Sequence, residues 1–323
     1  MRAVIAPEPG GPEALQLVER PVPEPAEGEV LIGVEAVGLN RADILQRQGF
    51  YPPPPGISDV LGLECAGTIS ALGPGVSGFS VGDHVCALLA GGAYADFAVV
   101  PAGQVAPIPP GLSVVEAAAF METSCTVWSN LVMVAGLSVD ETLLVHGGTS
   151  GIGTMAIQVA KALAVRVVTT VGSEEKVAAA RDLGADIVIN YRTEDFAEAL
   201  ASEGIAADVI LDIIGAKYLA ANISTLAPNG RLVIIGLQGG IQAELNLAAL
   251  LAKRASVTAT SLRARPLEEK AEIVGQTMRH VGPMLADGSV RPIVHATFDI
   301  SEVADAHRLL ESSTHVGKVV LTL

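Results

Sequence analysis

The sequence predicts an α/β protein in which a doubly wound parallel sheet interrupts a β-rich module. Three observations predict it. Strand and helix patterns alternate from residue 142 to residue 260. A glycine-rich run, Val145-His146-Gly147-Gly148-Thr149-Ser150-Gly151-Ile152-Gly153, lies at the first strand-to-helix passage, near the middle of 323 residues. Short strands punctuated by Pro and Gly precede this region and resume after it.

Each element has its own warrant. Gly28 to Gly38 alternates Val30, Ile32, Val34 and Ala36 on one face, and Val85 to Leu89 and Ala95 to Val100 read as further short strands. Ser113 with Glu116 forms a capping box that opens a connecting helix. Thr142 to His146 reads as a buried strand, and Ile152 to Ala164 as a helix with Ile152, Ala156, Val159, Ala160 and Leu163 on one side. Strands Val165 to Val171, Asp186 to Asn190, Asp208 to Ile213, Arg231 to Ile235 and Ser256 to Thr260 follow, separated by helices Glu174 to Leu183, Glu194 to Ser202, Tyr218 to Leu226 and Leu247 to Lys253. Apolar strands between amphipathic helices imply a parallel sheet covered on both faces. The tail returns to β structure at Pro292 to Phe298 and Lys318 to Leu323, around a helix from Glu302 to Leu310. The expected domains are residues 1–120 with 289–323, and an inserted dinucleotide-binding domain over 121–288.

Composition narrows the function. Half the residues are hydrophobic, yet no apolar run approaches the roughly 18 residues of a membrane span. The opening Met1-Arg2-Ala3-Val4-Ile5-Ala6-Pro7-Glu8 lacks the features of a signal peptide. Three widely spaced cysteines, Cys65, Cys86 and Cys125, supply neither a disulfide framework nor a metal cluster, and a reducing cytoplasm is the expected setting. A net charge of −15 and few aromatic residues argue against nucleic-acid binding.

A glycine-rich turn between strand and helix lets backbone N–H groups approach a pyrophosphate, with the positive end of the helix behind them. Glycine is abundant here, 34 of 323 residues, so a Gly-x-x-x-Gly-x-Gly pattern is expected by chance about 0.4 times in such a chain. The strand–turn–helix setting is what gives it meaning. Short-chain dehydrogenases share the spacing but pair Tyr with a Lys four residues later; here Tyr51, Tyr94, Tyr191 and Tyr218 are followed by Pro55, Ala98, Asp195 and Asn222.

The segments Val37-Gly38-Leu39-Asn40-Arg41-Ala42-Asp43, Gln46-Arg47-Gln48-Gly49 with Tyr51-Pro52-Pro53-Pro54-Pro55-Gly56, and Leu61-Gly62-Leu63-Glu64-Cys65-Ala66-Gly67 carry a resemblance across the whole chain. It resembles the zinc-free quinone oxidoreductases of the medium-chain dehydrogenase/reductase superfamily, and within them the branch named for the p53-inducible quinone oxidoreductase. The resemblance implies a GroES-like β-rich catalytic domain with an inserted Rossmann domain, NADPH as cofactor, a quinone or conjugated carbonyl as substrate, and a homodimer paired near Val257 to Thr260. Zinc-dependent relatives place a cysteine where Asn40 stands and a histidine where Leu63 stands, and neither replacement can ligate Zn²⁺. Their structural zinc needs four cysteines in a lobe that falls between Asp83 and Tyr94, where only Cys86 is found.

The resemblance also distributes roles. Asn40 and Tyr51 would line the nicotinamide and quinone site, each able to donate a hydrogen bond; loop stabilisation and partial burial are the plainer readings. Ser150, Gly151 and Ile152 would meet the pyrophosphate. No carboxylate stands at the end of the second strand, where NAD-specific sites place one. Gly172, Ser173, Lys176 and Tyr191 would instead surround a 2′-phosphate, although Ser173 also suits a helix N-cap, Lys176 a solvated face and Tyr191 strand-end packing. Glu174 and Glu175 are contrary charges. Thr126, Leu237, Leu262 and Lys318 would sit near the nicotinamide. Cys125 and His146 read as interior residues rather than catalysts.

Losing zinc has a chemical meaning. An unconjugated aldehyde yields a strongly basic alkoxide that needs a Lewis acid, whereas a quinone or enone yields a phenolate-like or enolate oxygen, and a phenol's pKa is only about 10. The expected activity is therefore metal-free NADPH:quinone reduction by hydride transfer. Reduction of α,β-unsaturated ketones or enoyl thioesters is the alternative, and an NADPH-binding sensor with little catalysis a second.

Overall fold

The computed structural model describes residues 1–323. They form two compact units, one of Met1–Cys125 with Leu262–Leu323 and one of Thr126–Ser261.

In the first unit β1 (Arg2–Ile5) and β2 (Gln16–Glu19) form an antiparallel pair. A larger sheet is built on β3 (Glu29–Gly38), β4 (Glu64–Leu72), β5 (His84–Leu88), β6 (Phe97–Pro101) and β7 (Val105–Pro107). The ten residues of β3 are long enough to pair β4 along one edge and β6 along the other. Its alternating side chains Val30, Ile32 and Val34 enter a core shared with Ile69, Val85 and Val100. Helix α1 (Arg41–Arg47) follows β3 directly, while α2 (Val114–Ala117) opens on the expected box, with Ser113 Oγ accepting from Glu116 N–H. Helix α3 (Met121–Trp128) leads into a π-helical stretch, Ser129–Val134.

The second unit is a six-stranded, wholly parallel sheet of β8 (Thr142–His146), β9 (Arg166–Val171), β10 (Ile187–Asn190), β11 (Ala207–Asp212), β12 (Leu226–Ile234) and β13 (Ser256–Ala259). Its order, β10-β9-β8-β11-β12-β13, reverses direction between β8 and β11, and ligands of such sheets bind beyond the strand ends at that reversal. Helices α4 (Gly151–Ala162), α5 (Glu174–Asp182), α6 (Phe196–Ser202), α7 (Leu219–Thr225) and α8 (Leu247–Lys253) connect the strands. Leu144, Val168, Ile210 and Leu232, one from each central strand, meet in its core. The expected doubly wound sheet within a β-rich chain is the observed architecture.

The expected second boundary, at residue 288, is corrected to residue 261. The reason is a 21-residue helix, α9 (Leu267–Asp287), that the sequence reading passes over. Its buried positions Lys270, Ile273, Val274, Thr277, Val281 and Leu285 follow a helical period. The helix packs on the first unit so closely that a Cβ added at Gly103 would lie 2.8 Å from the Ala271 methyl. Beyond it, β14 (Val294–Asp299), α10 (Val303–Ser312) and β15 (Lys318–Thr322) complete the larger sheet, with β15 antiparallel to β3 through Val320–Gly38 and Thr322–Ala36.

Candidate active site

The glycine turn after β8 is shaped by three separate demands. Gly147 takes φ +76, a conformation that costs L side chains energy. A Cβ at Gly148 would lie 2.1 Å from Thr169 Oγ1 on β9, and one at Gly153 would lie 2.2 Å from the Gly147 carbonyl oxygen. Ser150 caps α4, its Oγ accepting from Gly153 N–H at 3.0 Å. The N–H groups of Gly151 and Ile152 then have no acceptor within the chain, at the positive end of a 12-residue helix. Such a pair of oriented donors fits a pyrophosphate.

His146, the last residue of β8, buttresses this turn. It is buried between the rings of Phe196 and Tyr218, with Nε2 2.7 Å from Asn222 Oδ1 and Nδ1 3.0 Å from Thr170 Oγ1. Asn222 in turn donates to Asp212, which accepts from the N–H groups of Ile214 and Gly215. Burial pulls His146 down to about 4 and pushes Asp212 up to about 6. The histidine is neutral and structural.

The ends of β9 and β10 bring Gly172, Ser173, Lys176 and Tyr191 together. A Cβ at Gly172 would lie 2.3 Å from the Tyr191 hydroxyl, so the glycine makes room for that ring. Ser173 caps α5, accepting from Lys176 N–H at 3.3 Å. Glu174 is turned aside by Asn190, whose Nδ2 donates to it at 2.7 Å. The sequence reading missed Arg192. Its guanidinium has no partner in the chain, and its charge, after burial, helps hold Lys176 below the usual lysine range. Parallel pairing of Asn190 with Val171 brings the two strand ends level.

In the first unit, Asn40 follows β3 and is the N-cap of α1. Its Nδ2 donates to Glu64 Oε1 at 2.9 Å and to Gly38 O at 3.3 Å, and its Oδ1 accepts from Lys318 Nζ at 2.6 Å. Both amide protons are thus directed at acceptors inside the protein. Lys318 Nζ also donates to Leu39 O at 2.5 Å and Glu64 Oε1 at 2.7 Å. An ammonium has three protons, and each has an acceptor inside the protein. Lys318 holds Asn40 in place. Glu64 is fully buried, and its second oxygen accepts from Glu122 N–H at 2.9 Å.

Tyr51 differs from Asn40 in being uncommitted. Its hydroxyl has no partner in the chain, while Arg263 stacks on its ring at 5.2 Å and donates to its carbonyl at 3.1 Å. Burial pushes the phenol above its ordinary range, so it keeps its proton. Arg263 lies beyond the last strand predicted for the inserted domain and escaped the sequence reading. Leu262, beside it, is half-buried, Leu237 is exposed, and Thr126 is buried, its carbonyl accepting from Asn130 Nδ2 at 2.8 Å. Cys125 is fully buried and pushed up by that burial, which suits no nucleophile.

A family described as zinc-binding dehydrogenase matches residues 183–321, and the alcohol dehydrogenase GroES-like domain matches residues 26–110. Quinone oxidoreductase 1 of Escherichia coli (strain K12) is 32% identical over 317 residues, 97% of this chain and 96% of that protein. A phenolphthiocerol/phthiocerol polyketide synthase component of Mycobacterium tuberculosis (strain ATCC 25618 / H37Rv) is 34% identical over 319 residues, 98% of this chain. The chain spans only 14% of that relative's length. The solved structure of Escherichia coli quinone oxidoreductase complexed with NADPH aligns at TM-score 0.88 and 32% identity, covering 100% of this chain and 99% of that one. The CurK enoyl reductase structure aligns at 0.86 and 29%, covering 99% and 98%.

The zinc in the first description finds no fitting donors here. Where a ligand set would stand are the Asn40 amide, the buried alkyl chain of Leu63 and the ammonium of Lys318, already seated against Asn40 Oδ1 and Glu64 Oε1. No group of three or more His, Cys, Asp or Glu side chains converges anywhere.

Proposed function

The chain belongs to the quinone oxidoreductase family of the medium-chain dehydrogenase/reductase superfamily, and on that premise we propose that it reduces quinones with NADPH and without a metal ion. The observation that carries this reading is the Asn40–Glu64–Lys318 cluster, in which an internal ammonium takes the cationic place and leaves nothing for zinc. A metal-free site favours acceptors whose reduced oxygen is weakly basic.

The cofactor half of the reading rests on the second unit. Bound NADPH supplies the hydride. The Gly151 and Ile152 N–H groups orient its pyrophosphate. Lys176, Arg192, Ser173 and Tyr191 receive the 2′-phosphate, and the Glu174–Asn190 bond keeps one contrary carboxylate away. The acceptor half rests on the first unit. Tyr51 donates its phenolic proton as a hydrogen bond to the acceptor oxygen as charge develops there, and Arg263 fixes the ring that carries it.

The test is an acceptor panel, run with NADPH and NADH in parallel on metal-stripped protein. Turnover of an ortho-quinone that prefers NADPH supports the reading; a requirement for added zinc overturns it. Enoyl thioester reduction is the second reading, favoured by the match to a polyketide synthase segment and to an enoyl reductase. Faster turnover of an acyl thioester than of any quinone would select it.

We further propose a homodimer that joins the free edges of β13, and a reducing compartment such as the cytoplasm. The three cysteines are buried and unpaired, and no helix is long and apolar enough to cross a membrane.

A further inference from the structure

The first unit contains a cavity of about 380 Å³ that the proposed reaction does not use. Its walls are mostly apolar, with Ile57, Val60, Leu89, Phe97 and Leu267 among them. That volume is within the range of small-molecule sites.

Two polar side chains in the lining are unusual. Lys270, on the first turn of α9, is 3% exposed. It makes one long hydrogen bond, to Arg263 O at 3.5 Å, and no ion pair. Gln104, 2% exposed, has no partner for its Oε1. Buried charges are ordinarily paired, and buried amides ordinarily bonded. Nor do the neighbours relieve Lys270. Arg263 brings a second positive charge, and its own nitrogens are spent on Ala90 O, Tyr51 O and Gln46 Oε1, all neutral. Glu29 also lines the cavity but accepts from Ala26 N–H and forms no ion pair with Lys270.

We propose that this cavity binds a small organic monoanion, an apolar carboxylate, with its charge on Lys270, its second oxygen on the Gln104 amide and its tail on the apolar wall. The Gln104 amide presents N–H or C=O by a half-turn about its terminal bond. A polyphosphate is disfavoured by the apolar wall and by Glu29. The site communicates with the proposed chemistry through one residue, since Arg263 receives Lys270 at its carbonyl and stacks on Tyr51.

Calorimetric titration of the whole protein with hexanoate, and with uncharged hexanamide as control, tests this directly. Hexanoate binds, hexanamide binds at least tenfold more weakly, and Lys270→Met abolishes the difference while Lys270→Arg keeps it. Lys270→Met removes an unpaired buried charge, so it melts no lower than wild type without ligand, and its loss of binding is not a loss of fold. Hexanoate must also bind protein saturated with NADPH. Failure of hexanoate to bind, equal binding of hexanamide, unchanged binding by Lys270→Met, or displacement by NADPH would each show a water-filled cavity or a different site, and overturn the proposal.

Discussion

Tyr51 and Lys318 make two different kinds of contribution. The Tyr51 hydroxyl makes no bond inside the protein, so Tyr51→Phe should leave stability within ~0.5 kcal/mol of wild type, as surface-like changes do. Removing one donor from a developing oxyanion costs roughly 10²-fold in kcat. Steady-state kinetics should therefore show a large fall in kcat with the NADPH KM nearly unchanged; an unaltered kcat would remove Tyr51 from the mechanism. Lys318→Met behaves oppositely. It leaves the buried Glu64 without its ion-pair partner, at a cost of about 3–5 kcal/mol. Denaturant unfolding should show that loss, and adding Glu64→Gln should recover part of it. Reading Asn40, Lys318 and Glu64 as one cluster was beyond the sequence, because β15 brings Lys318 to Glu64 from 254 positions away.

At the scale of elements, the glycine turn was legible and α9 was not. The turn announces itself because strand, glycines and helix are contiguous and each glycine answers a local demand. Gly153→Ala would push a methyl to 2.2 Å from a backbone oxygen that cannot move aside. We expect a loss of about 1–3 kcal/mol, the range for overpacking, together with at least tenfold weaker NADPH binding by fluorescence titration. Unchanged binding would mean that the turn does not meet the pyrophosphate. Helix α9 hides its period behind Gly275, Gly282 and Pro283 and a buried lysine at a core position, and only its packing on Gly103 reveals which unit owns it. The strand ends show the same limit. Lys176 and Tyr191 could be named from resemblance, whereas Arg192, next to Tyr191, is tied to Lys176 only by its charge in the folded chain.

For the whole molecule, acid stability is set by opposing groups. His146 and His307 are buried and neutral, pulled by burial to about 4 and about 3, against about 6.5 in an unfolded chain. Their contribution is whole above pH 6.5 and is lost as pH falls toward 4. Asp43 and Asp212, both pushed up to about 6 by burial, act in the other direction, stabilising most below about pH 4 and losing that as pH rises through 6. Replacing His146 with Gln should flatten the dependence of the denaturant midpoint on pH between 6.5 and 4, and an unchanged slope would contradict its burial as a neutral group. Association is the other property at this scale. Helix α8 buries none of its residues and exposes Leu247 at 68% and Leu251 at 79%, and β13, the next strand in the chain, is an edge of its sheet. Leu251→Asp with Thr258→Lys should shift sedimentation from dimer to monomer; a wild-type monomer would end the dimer proposal.

The pairing of β15 with β3 also dictates an order of birth. The second unit draws all its strands from one continuous stretch, Thr126–Ser261, and can close while the ribosome is still working. The first cannot. At about 5–20 residues per second, the 254 positions between Glu64 and Lys318 take about 13–50 s to make. Through that interval the β3 edge that will receive β15 is open and Glu64 has no cation. The nascent chain thus carries every strand of the inner unit before the outer one receives β15.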